Sequence, residues 1–257
     1  MIPEQRRSRI IVKLREQGIC SIDGLAKELE VSRITIQRDI NLLVIQGLAQ
    51  KVHGGVQLKE KEGNTIESRF SLRLKQNYNK KLKISKTAAG LVKDSSIIFL
   101  DSSTTVFILA KELFNMDYLD LTMITSSPAI IFEGMKQNKV RIIATGGELR
   151  SDFNMFSGSW VLDFLEKVNI NSAFISAAGI SPEGHITSNN RDLANTIRAV
   201  FKRSVEVNLL ADSDKFYRSG MLDAGLVKDC TRLITDKKIN GGFMKEGKAL
   251  KDTEIIY

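Results

Sequence analysis

The amino-acid sequence predicts an α/β protein in two parts, a small helical module closed by a hairpin and a larger domain built on a mostly parallel sheet. Three observations predict it. Apolar positions over the first fifty residues recur at helical spacing in short blocks. From residue 97 onward, strand-like runs alternate with helical stretches, the pattern of a sheet covered by helices on both sides. Charge divides the chain as well: residues 1–83 hold 17 Lys and Arg against 9 Asp and Glu, whereas residues 84–257 hold 21 of each. The whole net charge of +8 therefore lies in the first third, which is expected to meet a polyanion.

With 257 residues and 42% hydrophobic side chains, the chain can bury one large core and one small one. No apolar stretch approaches a membrane span and MIPEQRRSRI has no apolar leader core, so a cytoplasmic location without membrane contact is expected. Cys20 and Cys230 stand far apart, with no CxxC pair or metal-ligand spacing. They read as reduced structural thiols, and neither a metal nor a cofactor is expected.

In the first third, Ile10, Ile11 and Leu14 mark a helix that ends near Gly18. Ser21 has the position of an N-cap for a second helix, with Ile22, Leu25, Ala26 and Leu29 on one face. Ser32 caps a third, whose buried stripe is Ile36, Ile40, Leu43 and Val44. Two helices on so short a link form a helix-turn-helix. The outward residues of the second member, Arg33, Thr35, Gln37, Arg38 and Asn41, carry donors suited to base edges and phosphate oxygens of duplex DNA. After Gly47, LAQKVHGGVQL reads as a strand, a Gly54-Gly55 turn and a return strand, the wing of a winged helix. Lys51 and His53 flank that turn; His53 is either a phosphate contact or a plain turn residue.

The combination VSRITIQRDINLL followed by KVHGGV resembles the amino-terminal signature of the DeoR family of bacterial transcriptional regulators. The resemblance spans almost the whole chain. Gln37 stands where the family usually carries arginine, which implies a changed base or phosphate contact. The reading module is expected over residues 1–57, a charged connector with some helical tendency over 58–79, and the larger Rossmann-like domain over 80–257.

That larger domain begins its sheet with IIFLD, followed by LTMIT, RIIAT, SAFISAA, VEVNLLAD and RLITD. Ligands of such sheets bind at the carboxyl ends of the strands, and small or polar residues gather there. Asp101, Ser102, Ser103, Thr104 and Thr105 follow the first strand and lead into a helix with Val106, Leu109, Ala110 and Leu113 on its apolar face. Thr125, Ser126 and Ser127 follow the second, with Pro128 placed to open a helix; Gly146, Gly147, Glu148 and Arg150 follow the third. Gly179 follows the fourth, and Asp212 and Lys215 the fifth.

One shared crevice is expected from these strand ends. Hydroxyls and first-turn N–H groups at Ser102–Thr105 suit phosphate oxygens, and Lys215 adds a point charge. Asp101, Glu148 and Asp212 can accept hydrogen bonds from sugar hydroxyls, and Gly146-Gly147 permits close backbone approach. A small phosphorylated sugar or polyol satisfies all of these groups. Glu148 and Arg150 can equally form a structural ion pair.

DSSTT, TGGELR, AAGI and ADSDKF also resemble DeoR-family sensor motifs. The resemblance implies a fold similar to sugar-phosphate isomerases such as ribose-5-phosphate isomerase. It implies a repressor, less often an activator, of carbohydrate-use genes with a sugar-phosphate effector. Two half-sites on DNA call for a homo-oligomer, a dimer or tetramer. Ser103 replaces the usual glycine of the phosphate loop, and Leu193 and Ile197 stand where many members have Glu and Lys. The rival reading is a sugar-phosphate isomerase, but AAGIS carries no carboxylate where the resembling enzymes place one, leaving Asp101 and Asp212 as bases. An RNA-binding module would need aromatic platforms, and the basic third offers only Phe70 and Tyr78.

Overall fold

The computed structural model describes residues 2–46, 48–52, 55–58, 65–118, 120–239 and 253–257. They form two compact units, Met1–Thr65 and Ile66–Tyr257.

The first unit contains α1 (Pro3–Gln17), β1 (Ile19–Cys20), α2 (Ile22–Glu28), α3 (Arg33–Ile45), β2 (Ala49–Val52) and β3 (Gly55–Leu58). Gly18, at φ 76°, ends α1 in a conformation that side chains rarely adopt. Ser21 Oγ accepts the Gly24 N–H at 3.0 Å and Ser32 Oγ accepts the Thr35 N–H at 3.2 Å, so each serine starts its helix as a cap. Ile10, Leu14, Leu25, Ile36, Ile40, Leu43 and Val56 bury a common core of three helices and the wing. The wing is a three-stranded antiparallel sheet in the order β1-β3-β2. A Cβ on Gly55 would lie 2.3 Å from the Cys20 carbonyl oxygen, so the close approach of β3 to β1 requires glycine.

The second unit opens with α4 (Thr65–Lys75) and α5 (Tyr78–Ala89), followed by β4 (Ile97–Leu100) and α6 (Thr104–Phe114). Next come β5 (Thr122–Thr125), α7 (Pro128–Gly134) and β6 (Arg141–Ala144). A hairpin of β7 (Glu148–Arg150) and β8 (Met155–Ser157) leads to α8 (Ser159–Leu165) and β9 (Ile170–Ser176). The remainder is β10 (Gly179–Ile180), β11 (His185–Ser188), α9 (Arg191–Arg203), β12 (Ser204–Leu210), β13 (Leu222–Leu226), β14 (Arg232–Ile234) and β15 (Glu254–Ile256). Much of the stretch expected to be a connector is thus helical. Phe70 of α4 meets Phe107 of α6 edge to face, ring centroids 5.6 Å apart, which docks α4 onto the core of the second unit.

The main sheet has the order β15-β14-β12-β9-β4-β5-β6, and its neighbours pair in parallel. Alternate residues along each strand feed two cores. Phe99, Ala173, Ile175, Leu209 and Leu233 face a layer with α8 and α9; Ile98, Leu100, Phe174, Leu210 and Ile234 face one with α5 and α6. Burial on both faces explains why these strands read as continuous apolar runs.

Chain order sets the position of the site. From β4 the sheet grows one way through β5 and β6, and from β9 it grows the other way through β12, β14 and β15. The crossovers that leave β4 and β9 therefore diverge, opening a crevice at the carboxyl ends of these two strands.

Candidate functional site

A hollow of about 630 Å³ occupies that crevice, within the size range of small-molecule sites. Ser102–Thr105 from the end of β4 and Ser176–Ala178 from the end of β9 form its base. Asp212, Asp214, Lys215 and Arg218 follow β12, Ser188–Asn190 lead from the end of β11 into α9, which adds Leu193, and Phe153 comes from the tip of the β7–β8 hairpin. Arg73, Gln76 and Asn77 at the end of α4, with Lys81 of α5, complete the wall.

Two helices begin at this hollow. Ser103 Oγ accepts the Val106 N–H at 3.2 Å, and Asn190 Oδ1 accepts the Leu193 N–H at 2.8 Å. First-turn N–H groups of α6 and α9 have no carbonyl within their own helix to donate to, and both positive dipole ends favour an anion. Among the described residues, the cationic side chains Arg73, Lys81, Lys215 and Arg218 line the space against the carboxylates Asp212 and Asp214. The carboxylates are already engaged. Asn77 Nδ2 donates to Asp212 Oδ1 at 3.2 Å and to Asp214 Oδ2 at 2.9 Å, while Lys80 Nζ reaches Asp214 Oδ1 at 2.7 Å. The hydrogen bond from Lys80 holds Asp214 below the usual carboxylate range.

Asp101 lies beneath the hollow and does not line it. Its Oδ1 accepts the Ser103 N–H at 2.8 Å and its Oδ2 the Ser176 N–H at 2.7 Å, tying the β4 and β9 loops together across the crevice. Burial pushes its carboxyl up to about 6, against the pull of these bonds. Ser176 Oγ donates to the Leu210 carbonyl at 2.7 Å, carrying the tie on to β12.

Of the residues expected to share the crevice, Ser102, Ser103, Thr104, Thr105, Asp212 and Lys215 come together. The others do not line it: the gap opens between β4 and β9 and toward β12, away from β5 and β6, while Asp101 and Gly179, although they follow β4 and β9, are held by backbone contacts outside the lining. Thr125 Oγ1 donates to the Leu100 carbonyl at 2.8 Å, and Ser127 caps α7. Ser126, also fully buried at the end of β5, has no hydrogen-bond partner for its hydroxyl. A Cβ on Gly147 would meet the Ser157 carbonyl at 2.6 Å, and Gly146 precedes it at φ 69°. Glu148 is exposed on β7, and Arg150 faces Asp152 and Asp192, each at 3.8 Å, rather than Glu148. Gly179 pairs with Thr187, and a Cβ there would lie 2.4 Å from the Arg218 carbonyl oxygen.

In the first unit, Arg33, Arg38 and Asn41 are exposed on α3, with Thr35 and Gln37 half-buried beside them. Gln37 Nε2 approaches Asn41 Oδ1 at 3.4 Å, and Arg33 lies 3.4 Å from Asp23 of α2. Lys51 is exposed on β2; His53 lies outside the described residues. Missed by sequence reasoning was Asp39. It is 3% exposed on α3 and ion-paired to Arg6 and Arg7 of α1.

The family model described as the DeoR C terminal sensor domain matches residues 76–237, and the DeoR-like helix-turn-helix domain matches residues 6–62. The chain belongs to the DeoR family. It is a DNA-binding transcriptional regulator with a sensor domain, not an enzyme. The HTH-type transcriptional regulator GolR of Listeria innocua is 32% identical over 96% of this chain and 95% of its own. The glycerol-3-phosphate regulon repressor of Escherichia coli is 30% identical over 90% of each chain, and the L-fucose operon activator of the same organism is 28% identical over 91% of this chain and 95% of its own. Among solved structures, ribose 5-phosphate isomerase A of Methanocaldococcus jannaschii aligns with 55% of each chain at 19% identity and a TM-score of 0.41. Among the described residues of this DeoR-family regulator, no helix is long and apolar enough to cross a membrane, and no cluster of three or more metal-ligating side chains occurs.

Proposed function

We propose that this regulator reads an operator through α3 and the β2–β3 wing, and that its sensor hollow takes a small phosphorylated sugar that controls that reading. The carrying observation is the meeting of two helix N-termini, α6 and α9, with Lys81, Lys215 and Arg218 in one hollow. Such a set suits a dianionic phosphate. Phe153, Leu193, Ala177 and Ala178 offer apolar surface for the carbon face of a sugar, and Asn189 and Asn190 offer amides for its hydroxyls.

Relatives named for an L-fucose operon and a glycerol-3-phosphate regulon support control of carbohydrate genes. Repression is the direction proposed, by a cytoplasmic homo-oligomer, dimer or tetramer, that spans two half-sites. On α3 and the wing, the contacts assigned are Arg33, Thr35, Gln37, Arg38, Asn41 and Lys51, with Ser21 and Ser32 presenting capped helix ends to phosphates. The first unit, Met1–Thr65, is taken as the reading module and the second, Ile66–Tyr257, as the sensing domain, which includes α4 instead of beginning at residue 80.

A thermal-shift screen of phosphorylated sugars tests the sensing half. A true effector raises the Tm of the wild-type chain, and Thr104→Val with Thr105→Val abolishes that rise while leaving the ligand-free Tm within a few degrees. Undiminished stabilisation in the double variant would move the phosphate away from α6.

A further inference from the structure

One cation in the hollow is bonded unlike the rest. Lys81 is only 4% exposed, lines the hollow, and donates through its ammonium to the carbonyl of Arg73. Arg73 belongs to the last turn of α4, where helix geometry leaves carbonyls to be satisfied from outside the helix. Lys81 therefore caps the end of α4 while facing the ligand space. An ammonium has three donors, so an anion can recruit the same group.

The surroundings make that transfer sensitive to a new charge. Arg73 from α4 and Lys215 after β12 repel the ammonium, Asp212 attracts it, and Asp214 and Arg218 line the same hollow. Asp214 is already held by Lys80 and Asn77. Burial is the largest influence, and it lowers the pKa of Lys81 to about 8. A phosphate beside it would favour the charged form and raise that pKa again.

The segment that Lys81 caps is also the entry to the sensor unit. α4 begins at Thr65, the residue that closes the first unit, and ends at Lys75, just before Gln76 and Asn77, which line the hollow. Asn77 joins α4 to α5 in a left-handed conformation, φ 55°, held by its bonds to Asp212 and Asp214. A small change of partner can therefore reset this junction.

We propose that Lys81 is the transmitting contact of the pocket: a ligand's anionic oxygen takes its ammonium from the Arg73 carbonyl, and the last turn of α4 is released. This inference rests on the anionic-ligand reading above. It gives that ligand a differential contact between two states, without which binding would shift no equilibrium. Linkage follows. Because the anion raises the pKa of Lys81 above its ligand-free value, binding takes up a proton at pH 8.5, and affinity falls as pH rises through about 8. A phosphate monoester is fully ionised at that pH and contributes no uptake.

The test uses the full chain with the best sugar phosphate from the screen, or inorganic phosphate if none is better. Calorimetric titration at pH 8.5 in two buffers of different ionisation heat should show uptake of roughly half to one proton in the wild type. Lys81→Met and Lys81→Arg should show none, and a fixed charge in the arginine variant keeps the result readable if the methionine variant fails to fold. Amide exchange over residues 72–77 should speed up on ligand addition in the wild type and be fast without ligand in Lys81→Met. Uptake that persists in Lys81→Arg, or exchange over 72–77 indifferent to a bound ligand, overturns the inference. If that ligand still fails to bind the Thr104→Val, Thr105→Val variant, the pocket reading survives alone. If no probe binds, pocket and transmission fail together.

Discussion

Asp101 shows how one residue can be held in place at a cost to its own charge. Its carboxylate is fully buried, and the two N–H groups it accepts, from Ser103 and Ser176, only partly replace water. Burial wins, raising its pKa from 3.8 to about 6. Because the folded pKa lies above the unfolded value, the native state binds the extra proton between those limits. Stability therefore falls as pH rises from about 4 to 6, by at most about 3 kcal/mol at 1.4 kcal/mol per unit. Asp101→Asn would face one of the two N–H groups with an NH₂, costing about 1–3 kcal/mol. Urea unfolding should find that deficit largest near pH 4, shrinking up to pH 6 and level above. A deficit that grows with pH would mean that the two hydrogen bonds outweigh burial.

Among the elements, α3 is the one whose outward face is expected to decide sequence reading. Arg38 is exposed there, while Asp39 beside it is locked to Arg6 of α1. Arg38→Ala should weaken operator binding and lower its salt slope by about 1, the change that follows when one fewer phosphate is neutralised. Binding curves at several salt concentrations measure both, and unchanged values would take Arg38 off the interface.

The buried stripe Ile36, Ile40 and Leu43 was legible because helical periodicity is local. Asp39 was not, since an acidic residue reads as surface and Arg6 lies 33 residues away. The main strands were equally plain, being apolar on both faces, whereas β10 and β11, two and four residues long, carry too little pattern to be seen. Arg73, Gln76 and Asn77 escaped notice for another reason: their stretch reads as charged connector, and only the fold brings it, with Lys81 just beyond, to the hollow. The start of α9 could have been found, since Asn190 precedes an amphipathic run as a cap should.

At the scale of the whole molecule, strand order decides what the sequence could not. Nothing in the runs themselves says that β4 lies between β9 and β5, so five polar strand ends looked equivalent when only some face the gap. Two neighbouring apolar residues of α9 meet different surroundings. Leu193 lines the hollow, while Ile197, one turn later, is 1% exposed in the core. Leu193→Glu would add a carboxylate to the wall of the hollow. Affinity for a phosphorylated ligand should fall roughly tenfold, about 1.4 kcal/mol, with the unfolding midpoint nearly unchanged because the position is half-buried. Unaltered affinity would place the anion at the far side, beside Lys215.

The gap itself comes from the divergence of backbone crossovers, not from any set of side chains that carve it. Such a scaffold is tolerant by construction. Its chemical taste can be retuned by single replacements around the rim while the underlying frame goes on folding as before, so one architecture can follow a changing diet of metabolites.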